Sequence, residues 1–155
     1  MPICNPSDLK RLIRGGERLL GLDVGTKTIG MALSDTTLLV ATPFDTIRRA
    51  RFREDVKRLV AEIERHKVGG LVVGLPVSLD GSEGPRAQSV RQFARNVLEH
   101  ADLPLAFWDE RLSTAAVERE MIAADLSRKR RAEIIDKVAA AYILQGLLDR
   151  IGRPA

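Results

Sequence analysis

The sequence predicts a mixed α/β sheet with helices packed against it. Three observations carry that expectation. Near the N-terminus, three strand-like stretches follow one another across short connections, which favours antiparallel pairing. Beyond them, helix-periodic and strand-like segments alternate. One later strand, Leu71-Val72-Val73, is a continuous apolar run, as expected of a central strand covered on both faces.

Residues 1–17 read as an extension without chemistry. Ser7 or Asp8 caps a short helix through about Arg14, and Gly15-Gly16 ends it. Removal of this segment is expected to leave the fold intact. The first strand runs from Leu19 to Asp23, and Gly25-Thr26-Lys27 turns the chain into a second, TIGMALSD. A third covers 38–47 and is interrupted by Pro43. Residues 50–67 form the first long helix, with Phe52, Val56, Leu59, Val60 and Ile63 at helical spacing. Residues 69–76 form the central strand, Pro76 stops it, and VSLDGSEGP is a loop.

A second helix covers about Gln88–His100, with Val90, Phe93, Ala94 and Val97 on one side. Residues 103–110 alternate as a strand until they meet Asp109 and Glu110. The alternation makes Trp108 a core residue rather than a base stacker. Thr114–Ala124 is a short helix with Ser113 as its cap. A basic connection, DLSRKRR, leads to the last and most apolar helix, 133–150. No internal repeat or low-complexity segment is visible.

The 155 residues are expected to form one domain, 18–150, between the extension and a tail at 151–155. The formal charge is +4, from 25 Lys and Arg against 21 Asp and Glu, so its distribution matters more than its sum. Aromatic residues make up 4%, which disfavours a binder that stacks single-stranded bases on exposed rings. Cys4 is the one cysteine, which excludes an internal disulfide and a cysteine zinc site. His66 and His100 read as ordinary surface residues. No secretory signal or membrane span is visible, so a cytoplasmic location and no membrane partner are expected.

Three carboxylates sit in unusual places. Asp23 follows the apolar LLGL, Glu110 follows FWD, and Asp136 lies inside the last helix. Steps of three and four from Asp136 reach Ala140, Ile143 and Leu147, so its face is apolar and aimed inward. Ala139, Ala140 and Ala141 allow that helix to approach the sheet closely. If the three acids converge, a cation is needed: two carboxylates about 5 Å apart repel by roughly 3 kcal/mol at an effective dielectric of about 20. Oxygen ligands suit Mg²⁺ or Mn²⁺. Such ions orient a water and stabilise the leaving oxygen of a phosphodiester. Taken singly, each acid has a plainer reading: a turn former at Asp23, a surface ion pair at Glu110-Arg111, a helix-start acid at Asp136.

The blocks LLGLDVGTKTIGMALSD, VVGLPVSLDGSEGPRAQSVRQFA, DERLST and IDKVAAAYILQGLLD resemble the signature blocks of the YqgF, or RuvX, family of Holliday-junction resolvase-like proteins. The resemblance spans residues 18–150. It implies an RNase H-like fold, with a five-stranded mixed sheet whose first three strands are antiparallel. It implies an acidic, metal-binding catalytic triad at Asp23, Glu110 and Asp136, and hydrolysis of a nucleic-acid phosphodiester. The implied role is maturation of the 5′ end of 16S rRNA, with ribosomal precursor particles as partners. Ser78 departs from the family, where asparagine is common, so an amide contact from that loop is not expected here.

Around the acids, Thr26 and Lys27 are candidate phosphate contacts on the turn after Asp23, though GTK does not match a P-loop. Arg111 either contacts phosphate or orients Glu110. Arg128, Lys129, Arg130 and Arg131 are the densest basic run and are read as an arm that closes on nucleic acid, and Arg48, Arg49, Arg51 and Arg53 form a second cluster. Competing readings are a resolvase cutting branched DNA, which favours a homodimer over a monomer, and a catalytically silent RNA-binding module. An actin-like phosphotransferase shares DVGT but needs a longer chain. No residue pattern chooses RNA over DNA.

Overall fold

Why the chain forms one sheet with two covered faces follows from side-chain alternation along its strands. The computed structural model describes residues 3–112 and 128–152 and, within the last helix, side chains from Ile134 onward. In chain order the elements are β1 (Ile3–Cys4), α1 (Pro6–Leu12), β2 (Arg18–Val24), β3 (Thr28–Ser34), β4 (Ala41–Arg48), α2 (Phe52–Arg65), β5 (Val68–Leu75), α3 (Pro85–Leu98), β6 (Leu105–Asp109), a 3-10 turn (Glu110–Leu112) and α4 (Arg128–Ile151).

The sheet order is β1-β6-β5-β2-β3-β4. β2, β3 and β4 pair antiparallel, as expected, while β5, β6 and β1 add on parallel to β2. Leu20, Leu22, Val24, Leu71, Val73, Ile29 and Met31 pack one face against α2 and α3. Leu19, Ala32, Val72, Ala106 and Trp108 pack the other against α4 and α1. Trp108 is buried in that second core, as its alternation predicts.

Several boundaries differ from the sequence reading. The sheet has six strands, not five, because Ile3 and Cys4 pair with Leu105 and Ala106 at its edge. Helix α1 starts at Pro6 after Asn5 rather than at Ser7 or Asp8, and it stops at Leu12, before Gly15-Gly16. Proline's fixed φ and missing N–H suit the first helical position. The same preference starts α3 at Pro85 instead of Gln88. The third strand begins at Ala41 because Asp35 Oδ1 accepts hydrogen bonds from the amides of Leu39 and Val40, which holds that stretch in a turn.

RKRR forms the first turn of α4 rather than a connection before it. The expected helix at Thr114–Ala124 and its Ser113 cap lie outside the described residues. The N-terminal segment is more than an appendage: Leu9 is fully buried, and with Ile13 it covers Gly70 of β5. Of the two histidines, His66 is half-buried with its ring edge-on to Phe44, and His100 is exposed.

Candidate active site

The alternation that sorts the two cores decides where Asp23 points. Leu20, Leu22 and Val24 belong to the α2/α3 face, so Leu19, Gly21 and Asp23 belong to the α4 face. Asp23 is 6% exposed. Its partner across the antiparallel pair is Gly30. On the parallel side Leu22 is level with Val73, which brings Gly74 alongside Asp23. Neighbouring strands lie about 4.8 Å apart, so Asp23 stands between two glycines on one face of the sheet.

The other two acids stand over those glycines. A Cβ on Gly30 would fall into the main-chain carbonyl of Asp136. A Cβ on Gly74 would meet the Ile143 side chain and stand 3.4 Å from Glu110 Cγ. Helix α4 thus seats Asp136 on one side of Asp23, and the 3-10 turn after β6 seats Glu110 on the other. Close approach is the reason for glycine here. The small helix residues expected to permit it, Ala139, Ala140 and Ala141, are indeed buried, and Gly21 lies under Ala140 and Leu144.

Thr28 Oγ1 donates a hydrogen bond to Asp136 Oδ2. Asp23 and Glu110 each also make a polar interaction. Among the described residues, no three His, Cys, Asp or Glu side chains form a group that could hold a metal ion.

Arg111 pairs with Asp109, the neighbour of Glu110. Its guanidinium grips Asp109, with Nη2 donating to Oδ2 at 2.6 Å, and this hydrogen bond holds the Asp109 carboxyl below its usual pKa. Nη1 of Arg111 also reaches Leu79 O, at 3.5 Å, and so braces the loop after β5. Within that loop Ser82 donates twice to Asp80 Oδ1, and Gly81 N donates to Ser78 O. Ser78 therefore acts through its backbone.

Thr26 and Lys27 are exposed at the tip of the β2–β3 turn, which Gly25 N closes by donating to Thr28 O. Arg128, Lys129, Arg130 and Arg131 occupy the start of α4, and their side chains lie outside the described residues. Sequence reasoning missed Thr28 as a partner of Asp136. The alternation Thr28, Gly30, Ala32 against Ile29, Met31, Leu33 was its signal: small residues on one face mark where a helix packs closely.

Residues 17–150 match the family model described as "RuvX: Holliday junction resolvase". The chain belongs to the RuvX family. Relatives in the family agree over nearly the whole chain. One from Paramagnetospirillum magneticum is 60% identical over 149 residues, covering 96% of each chain. One from Rhodospirillum rubrum is 54% identical and covers 99% of this chain and 96% of its own. One from Roseobacter denitrificans is 62% identical over 86% of this chain and 83% of its own. All three carry the name "Putative pre-16S rRNA nuclease". Among solved structures, Thermus thermophilus RuvC in complex with a Holliday junction superposes with a TM-score of 0.56 at 12% identity, covering 88% of this chain and 96% of that one. That likeness establishes the RNase H-like fold expected of a RuvX protein.

Proposed function

We propose that the protein is a nuclease that hydrolyses phosphodiesters of precursor 16S rRNA, and that Asp23, Glu110 and Asp136, which do not form a metal-holding group as they stand, are the residues that a divalent ion, Mg²⁺ or Mn²⁺, would draw together. Family membership supports nuclease chemistry on nucleic acid, and the name shared by relatives at 54–62% identity supports the rRNA substrate. The observation that carries the site is the seating of Asp136 and Glu110 over the two glycines that flank Asp23. The donors are hard carboxylate oxygens. His66 lies just before β5 begins, at the opposite end of the parallel strands from Asp23, and offers no competing nitrogen. When bound, the ion supplies activation of the attacking water and charge neutralisation at the phosphodiester.

The chain's own residues set the rest of the geometry. Thr28 fixes the Asp136 carboxylate by hydrogen bond. Lys27, exposed on the turn beside Asp23, meets a substrate phosphate. Arg111, by bridging Asp109 and Leu79, holds the loop after β5 against the turn that carries Glu110. No helix among the described residues is long and apolar enough to cross a membrane. Ribosomal precursor particles in the cytoplasm are the proposed setting, and the protein acts as a monomer or homodimer.

The family's description favours one second reading, resolution of branched DNA. Purified protein is incubated with precursor rRNA and with a four-way DNA junction, in Mg²⁺, Mn²⁺ or chelator. Cleavage of the rRNA that is lost in chelator and in Asp23→Asn is the expected result. Cleavage of the junction alone, by a stable dimer, replaces this reading with the second. Undiminished cleavage by Asp23→Asn removes the carboxylate site altogether.

A further inference from the structure

We propose that Arg49 and Arg86 form a second phosphate seat, on the α3 side of the β2–β3 turn, for a phosphate of the substrate strand outside the bond being cut. The inference deepens the nuclease reading and rests on it. Two guanidiniums from different elements converge on consecutive carbonyls directly after Asp23. Arg49, following β4, donates through Nη1 to Gly25 O at 2.6 Å. Arg86, in the first turn of α3, donates through Nη2 to Val24 O at 3.4 Å.

Neither has a carboxylate partner among the described residues, whereas Arg58, Arg91 and Arg111 are paired with Asp45, Glu83 and Asp109. Arg49 is half-buried, its guanidinium 5.2 Å from the centre of the Phe93 ring, which holds the fork in place. Arg86 stands in a helix turn that holds no acid, where the helix dipole disfavours a cation. Both cations are tied to the same short stretch of chain, so a phosphate bound there is attracted by both.

A guanidinium has five N–H donors, and each of these uses one on the turn. The remaining donors suit the oxygens of a phosphate. Val24 faces the α2/α3 core and Asp23 the α4 side. A strand crossing the turn at Thr26-Lys27 would therefore place one phosphate at the carboxylates and another at this seat. Such a contact fixes register and carries no base information.

The test measures binding of a fluorescein-labelled single-stranded RNA by the full-length Asp23→Asn protein, without divalent ions, across a salt series. Arg86→Gln is expected to weaken binding several-fold at low salt and to reduce the log–log salt slope by about 0.7, and Arg49→Gln to do the same. Arg58→Gln, whose partner is Asp45, should leave the slope alone. Arg49→Lys keeps charge if loss of the Gly25 contact unfolds the glutamine variant, and Arg86→Gln decides in any case. An unchanged slope in a folded Arg86→Gln protein, or no RNA binding by the parent, overturns the seat. The nuclease reading fails separately, on wild-type protein that cuts neither substrate.

Discussion

Gly30 has no room for any side chain. A methyl there would press on the backbone of α4 at Asp136, and a helix backbone cannot rotate away as a flexible side chain can. Overpacking of this kind costs about 1–3 kcal/mol. Gly30→Ala should therefore lower the urea midpoint by an amount in that range and reduce cleavage, because Asp136 is carried off with its helix. Thr28 acts on the same acid through its hydroxyl. Thr28→Val should cost about 1.5 kcal/mol, the lower end for a hydrogen bond to a charged group, while Thr28→Ser keeps the donor and most of the stability. A third residue-scale effect depends on pH. The hydroxyl of Thr37 and the amides of Val40 and Leu39 hold the Asp35 carboxyl down at a pKa of about 2, below its usual value of 3.8. A depressed carboxylate contributes stability that is complete above the unfolded value and is lost as pH falls through the folded one. Asp35→Asn should thus weaken the protein at neutral pH and cease to matter near pH 2. A carbon-detected titration of Asp35 with a midpoint near 4 would contradict this.

At the scale of elements, α1 and α4 show different limits of local pattern. Helix α1 has 7 residues and one fully buried side chain, Leu9. Nothing in its short sequence separates a helix that packs from one that hangs free. Its burial over Gly70, and the pairing of β1 with β6, tie the segment to the sheet. Leu9→Ala should cost about 3 kcal/mol, and deletion of residues 1–16 should lower the melting temperature; an unchanged melting curve would restore the segment to a dispensable tail. In α4 the inward face through Asp136, Ala140, Ile143 and Leu147 was legible because helical spacing is a local property. The start of that helix was not, because RKRR is a poor apolar face yet a good helix former.

For the whole molecule, the sheet is an organiser of distant groups. The C-terminal end of β2 receives α4 on one face and two arginines from the other, and the turn between them is exposed. A divalent ion that binds only the folded chain must stabilise it, by about 2.7 kcal/mol when present at 100 times its Kd. Mg²⁺ or Mn²⁺ should accordingly raise the melting temperature of the wild-type protein by several degrees and leave that of Asp23→Asn nearly unchanged. An equal shift in both would mean that the ion binds elsewhere.

The sequence by itself determined the class of fold, the three antiparallel strands, the buried place of Trp108 and the positions of three suspicious acids. Each of these depends on spacing within one segment, and side-chain period is set by neighbours a few residues apart. Tertiary structure alone decided that Thr28 meets Asp136 from 108 positions away, that Gly30 and Gly74 lie under the flanking acids, and that Arg49 and Arg86 share one turn. Those meetings follow from strand register and from how a helix docks. Both are fixed by contacts summed over the whole sheet, and no short stretch of chain contains that sum.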